Sequence, residues 1–306
     1  MTGDPGQSNG DGGCPAAGSD QRGDSPQVPW WGAVLLVVLA VAGMYVALGV
    51  AAWLRTVTGP LSFGQTFAAV QQDMASLAFA QLAGFGTAAL GGLRIFGSGS
   101  EPAWIALGLT PVSWSHVGLA LVAGVGLQFL LAEVGNLAML IAPVPLEARL
   151  RMARLVAPDS LSEAIPVIVT VVLTAPLTEE ALFRGLLFRG LRGEHGVWVA
   201  GALSALLFGA AHFVPAAIIF AGVGGAVFAW VVHHTGSVTT TLAMHMAVNA
   251  APLLLPERVL PITGFNTTAE RIEHIPLPIL AGAAMVTVAS LWLLIRSETR
   301  PRSPTK

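Results

Sequence analysis

The 306-residue chain is short of charge: Asp, Glu, Lys and Arg make up 10% of it, against about 25% in an average soluble domain. That deficit excludes an ordinary soluble globule, whose large core would have to be wrapped in charged surface. The formal net charge of −2 is not the basic excess of a nucleic-acid-binding protein, so nucleic acid is not an expected partner. A single cysteine, Cys14, excludes an intramolecular disulfide framework and any multi-cysteine zinc or iron–sulfur centre. Residues 1–27 hold no apolar run fit to be a signal-peptide core; they are rich in Gly, Pro, Ser and Asp, the composition of a disordered tail. Cys14 lies in this tail without the apolar residues that precede a lipidated cysteine, and reads as an unmodified thiol. No internal repeat is found.

What the chain has instead is 54% hydrophobic residues and a mean hydropathy of +0.71. Stretches of the length that crosses a bilayer, about 17–25 residues, fall near 30–54, 74–93, 115–142, 165–191, 197–213, 216–233, 238–255 and 275–295. The expected fold is an all-α, polytopic integral membrane bundle of about eight transmembrane helices, multi-pass in the cell membrane, with membrane lipids as partners. The first stretch opens on Trp30-Trp31, is too long for a signal-peptide core and reads as a retained anchor. The fifth is short, lying between Gly196 and Pro215, so the count is seven or eight.

The chain divides into a tail (1–27), N-terminal membrane helices with an interfacial segment (28–164), a core (165–255), and a last membrane helix with a basic C-terminal tail (256–306). In the interfacial segment 145–164, Leu146, Leu150, Ala153 and Ala157 share one helical face. Arg149, Arg151 and Arg154 fall on others, as in a helix lying at headgroup level. Arg296, Arg300, Arg302 and Lys306 place the C-terminus on the cytoplasmic side. The loop of Arg189 and Arg192 agrees with that orientation, and the loop of Arg149, Arg151 and Arg154 does not.

Strongly polar residues inside the spans are few: Glu133, Asn136, Glu179, Glu180, Arg184, His212, His245 and Asn249. A charge near the centre of a transmembrane helix costs about 2.5–3.5 kcal/mol, so such residues face the bundle interior and are functional-site hypotheses. Within TEEALFRGLLFRG (178–190), Glu180 and Arg184 are four apart and pair along one face. Glu179 projects about 100° away and stays available. Pro176 predicts a kink just before the glutamates. Phe208 and His212 share one face, and His245 and Asn249 another, the latter pair able to aim two donors at one spot as in an oxyanion hole. Singly, each has an ordinary reading as a buried ion pair or an interhelical hydrogen bond. Glu133 and Asn136 read as an interhelical hydrogen-bond pair.

In order and on adjacent apolar segments, Glu179-Glu180-x-x-x-Arg184, Phe208-x-x-x-His212 and His245-x-x-x-Asn249 resemble the three motifs of the CPBP family. These are the CAAX-type intramembrane proteases and the bacteriocin-processing, immunity and lysostaphin-resistance-like proteins, also called the Abi family. The resemblance covers about 165–255, including the turn HHTGS (233–237); no motif is recognised before residue 165.

The resemblance implies a membrane-embedded endopeptidase acting on a membrane-anchored or hydrophobic peptide or protein substrate. It implies that Glu179 activates a water with His212, that His245 and Asn249 stabilise the oxyanion, and that Glu180, Arg184 and Phe208 support the site. The family is often labelled metalloprotease, and Glu179, His212 and His245 match a zinc set of the His₂Glu type. Asn249 is not a usual zinc ligand and no HExxH stands on one helix, so the preferred mechanism has no cofactor while zinc stays open. A reading of another class is a non-enzymatic immunity, scaffold or transport protein that binds a ligand with the same polar cluster. The paired inverted repeats of transporters are not seen. An intramembrane serine protease lacks its Gly-x-Ser-Gly nucleophile here.

Overall fold

A computed structural model describes residues 26–298 apart from 98, 100 and 156. Cys14, most of the proposed tail 1–27, and Arg300, Arg302 and Lys306 lie outside the described residues. Among those described, every regular element is helical.

Apolar runs become helices because a backbone in hydrocarbon has to satisfy its own hydrogen bonds, and polar caps set where they start. Helix α1 (Trp30–Thr58) follows Pro29. Helix α2 (Phe63–Val70) opens on a capping box in which Ser62 and Gln65 bond each other's backbone N–H groups. Asp73 caps α3 (Met74–Phe96) by accepting from Ser76 N. A single turn, α4 (Ala103–Ala106), leads to α5 (Trp114–Ile141), capped by Ser113. The short α6 (Leu146–Leu155) precedes α7 (Leu161–Ala210), capped by Ser160. Then come α8 (Pro215–Thr235), α9 (Val238–Leu254) and α10 (Leu277–Glu298).

Six of these helices are long and apolar enough to cross a membrane: α1, α3, α5, α7, α8 and α10. The expected count of about eight is approximate. Helix α7 holds two of the apolar stretches on either side of a kink at Gly196 (φ 76°, ψ 169°), where the backbone leaves its helical course, and its 50 residues are far more than one crossing needs. The stretch around 238–255 forms α9, whose 17 residues span roughly 26 Å, short of a hydrocarbon core of about 30 Å.

Two apolar cores share α8. One gathers α1, α3, the middle of α7 and α8, with Leu182, Leu186 and Leu191 fully buried. The other gathers α5, α8, α9 and Leu294 of α10. Two glycines let backbones meet: a Cβ on Gly84 of α3 would strike the carbonyl of Ala40 in α1, and one on Gly124 of α5 would strike that of Met244 in α9. The second contact fixes the depth of α9 one residue before His245.

Glu133 and Asn136 do bond each other, Asn136 Nδ2 donating to Glu133 Oε2 at 3.2 Å within α5, but their further partners lie in a loop and not on another helix. Glu133 accepts from Ile275 N (2.9 Å) and His274 Nδ1 (2.6 Å), while Asn136 Nδ2 donates to Gly264 O (2.7 Å). Phe129 stacks on Phe265 at 4.1 Å between centroids. These bonds fasten the loop between α9 and α10, whose free backbone groups supply partners that a neighbouring helix would have kept for itself.

Candidate active site

The middle of α7 departs from α-geometry twice, with π-helical turns over Ile168–Thr174 and Glu180–Phe188. Such turns shift the backbone register and free carbonyls, and they recur at functional sites. One freed group is bonded from another element: Asn249 Nδ2 donates to Val171 O at 2.8 Å. Ser204 Oγ also donates to Phe183 O within the second stretch, at 2.9 Å. Pro176 lies between the two stretches, directly before the glutamates.

Glu180 and Arg184 are fully buried, with Nη1 3.0 Å from Oε1. The Arg184 guanidinium carbon is 4.4 Å from the ring centroid of Phe208 and 5.1 Å from that of Phe228, so aromatic faces offset part of the desolvation of its charge. The expected ion pair is there, and Phe208 supports it. Glu180 has a further partner that sequence spacing did not give: its Oε1 accepts from His245 Nδ1 at 3.0 Å.

Glu179 points elsewhere, as its helical angle requires. Its Oε1 accepts from Gln81 Nε2 of α3 at 3.0 Å, and its Oε2 stands 3.8 Å from His245 Nε2. The latter distance is too long for a direct hydrogen bond and short enough for mutual electrostatic influence. His212 follows the end of α7, and its Nδ1 donates to Phe208 O at 2.9 Å. A carbonyl only accepts, so Nδ1 carries a hydrogen, and in the neutral ring Nε2 is left as an acceptor. The next residue, Phe213, turns the chain with φ 58°, unusual for a residue with a side chain.

Glu179, His212, His245 and Asn249 line one cavity of about 230 Å³, walled by Phe208, Phe220 and Phe228. Phe228 lies 4.9 Å from the His245 ring. With a water's share of liquid volume near 30 Å³, the space holds a water together with a peptide group. The structure therefore brings together every sequence-predicted site residue, with Glu180 and Arg184 of the first motif buried behind the cavity. Among the described residues no group of three or more His, Cys, Asp or Glu side chains is arranged to hold a metal ion.

Gln81 was missed by sequence reasoning. A polar amide in the apolar run MASLAFAQLAGF (74–85) is itself conspicuous, and the rule that singled out Glu133 applies to it equally. Its partner lies 98 residues away, a separation no local periodicity reports.

Residues 161–251 match the family model of the Type II CAAX prenyl endopeptidase Rce1-like proteins. The matched segment contains all three motifs and α7 to most of α9, so the resemblance to the CAAX-type membrane protease family is shown for this domain. Gln81, α1 to α6 and α10 lie outside it. No curated protein and no solved structure matches the chain.

Proposed function

We propose that the protein is an intramembrane endopeptidase that hydrolyses a peptide bond in a membrane-anchored or hydrophobic peptide or protein substrate, with Glu179 as general base. The observation that carries this reading is the convergence of Glu179, His212, His245 and Asn249 on one cavity, within a segment matching a protease family.

Glu179 takes a proton from a water held between it and Nε2 of His212, and the oxygen so activated attacks the scissile carbonyl. As the new C–O bond forms, the carbonyl electron pair moves onto oxygen. His245 and Asn249 stabilise that oxyanion. Asn249 gives one amide hydrogen to Val171 O and retains a second for this task. His245 donates its Nδ1 hydrogen to Glu180, so its Nε2 serves as the donor to the oxyanion when the ring carries a second proton. Collapse of the intermediate breaks the C–N bond, and Glu179 returns its proton to the leaving amine. Gln81 holds the other Glu179 oxygen, which keeps the base from swinging away between turnovers.

The experiment is cleavage of membrane-anchored peptides by the purified protein in detergent, comparing wild type with His212→Ala and His245→Ala, each with and without a chelator. Loss of cleavage in both variants and indifference to chelation support the reading. Wild-type rates in the variants contradict the site, and chelator-sensitive activity restored by zinc contradicts the metal-free mechanism.

A further inference from the structure

A second cavity is larger than the catalytic one. It measures about 840 Å³, within the usual range of ligand sites of about 300–1,000 Å³, and opens between α2, the end of α5, α6 and the start of α8. Arg149, Arg151 and Arg154 line it, with no carboxylate side chain in the lining. The acidic residue of α6, Glu147, lies outside that lining. The three arginines of α6, read from the helical pattern as lying at headgroup level, gather on one concavity. Arg149 donates to Glu270 O at 3.1 Å, which ties it to the loop after α9, and its Nε is buried without a partner. Among the described residues, Arg151 and Arg154 have neither an ion pair nor a side-chain hydrogen bond.

We propose that this cavity binds an acidic phospholipid, its phosphate held by the three arginines and an acyl chain laid along Met139, Val144, Met152 and Phe220. Guanidinium groups match phosphate oxygens in paired hydrogen bonds, and a concave site of one charge sign focuses its field on an anion. The apolar lining is what separates a lipid from a free phosphate, which has no use for it. Location agrees: α6 joins two membrane-spanning helices, α5 ending at Ile141 and α7 beginning at Leu161, so its arginines stand at headgroup depth. Exposed Leu140, Ile141 and Met152 flank it. Phe220 is a shared wall, lining both this cavity and the catalytic one, so an occupant restrains a surface of the site. The inference does not rest on the proteolytic reading.

The test uses the delipidated full chain in detergent and reads bound lipid by native mass spectrometry and melting temperature. The probes are phosphatidylglycerol, phosphatidylcholine and inorganic phosphate. Phosphatidylglycerol is expected to bind and raise the melting temperature, and the other two to do neither. Arg151→Gln with Arg154→Gln, both exposed and unpaired in the fold, is expected to weaken that binding about tenfold or more, the worth of hydrogen bonds to a charged group. Ala217→Trp, which fills the cavity and keeps every arginine, is expected to weaken it as well. Equal binding of the two lipids, or undiminished phosphatidylglycerol binding by the arginine variant, overturns the proposal. So does inorganic phosphate that stabilises as well as the lipid does, which would make the cavity a site for a soluble anion.

Discussion

Nδ1 of His245 lies 3.0 Å from Oε1 of Glu180, so the glutamate that pairs with Arg184 also orients the histidine facing Glu179. One buried carboxylate thereby ties the first motif to the third, and removing either of its partners has separable effects.

Arg184→Met leaves Glu180 buried without its cationic partner on α7 and is expected to destabilise the protein by about 3–5 kcal/mol, as when one half of a buried pair is deleted. Adding Glu180→Gln removes the stranded charge and is expected to restore much of the melting temperature in detergent, though not activity, because His245 then loses the acceptor that orients it. A double variant as unstable as the single one contradicts the assigned pairing.

Gln81→Leu removes the amide that donates to Glu179 Oε1. A hydrogen bond to a charged group is worth about 1.5–3 kcal/mol, so kcat is expected to fall tenfold or more with KM and melting temperature little changed. A change in KM alone would mean that Gln81 contacts substrate and does not position the base.

Glu133→Ala deletes the acceptor shared by His274 Nδ1 and Ile275 N. Hydrogen exchange is expected to quicken across the loop between α9 and α10, with α5 itself unaffected. Unchanged protection of residues 262–275 contradicts the latch.

Asp73 caps α3 and reaches Arg55 at the end of α1, 2.8 Å away. Its hydrogen bond from Ser76, helped by Arg55, holds its carboxyl below the ordinary value of 3.8. A lowered carboxyl contributes stability that is present above the unfolded value and lost as pH falls through the folded one. Asp73→Ala is therefore expected to lower stability by about 1 kcal/mol, the worth of an N-cap, at pH 7, and the gap to wild type should begin to narrow as pH falls below ~4 and keep narrowing through the lowered folded value. A gap that does not narrow on acidification contradicts the linkage.

Much of the site was legible because charge in hydrocarbon is expensive, and that expense made Glu179, Glu180, Arg184, His212, His245 and Asn249 conspicuous in the sequence. The i,i+4 spacing gave the Glu180–Arg184 pair outright, since it lies within one helix. What it could not give were bonds between elements: Gln81 with Glu179, Glu180 with His245, and Asn249 with a carbonyl freed by a π turn. Those depend on the depth at which helices pack, set by contacts such as Gly124 against α9. Span count was limited in the same way, because a hydropathy pattern does not say that two stretches meet at a kink at Gly196 or that α9 stops short. The arginines of α6 read as a headgroup-level face, and the cavity they share was not legible because the periodicity of one helix carries no information about the wall opposite.

The most direct test of the account is the hydrolytic rate of Glu179→Gln, which keeps the shape of the side chain and its contact with Gln81 while removing the base. With melting temperature held to the wild-type value, kcat/KM is expected to fall by roughly 10³-fold, about 4 kcal/mol of transition-state stabilisation. A rate within tenfold of wild type would contradict the central claim that Glu179 activates the attacking water.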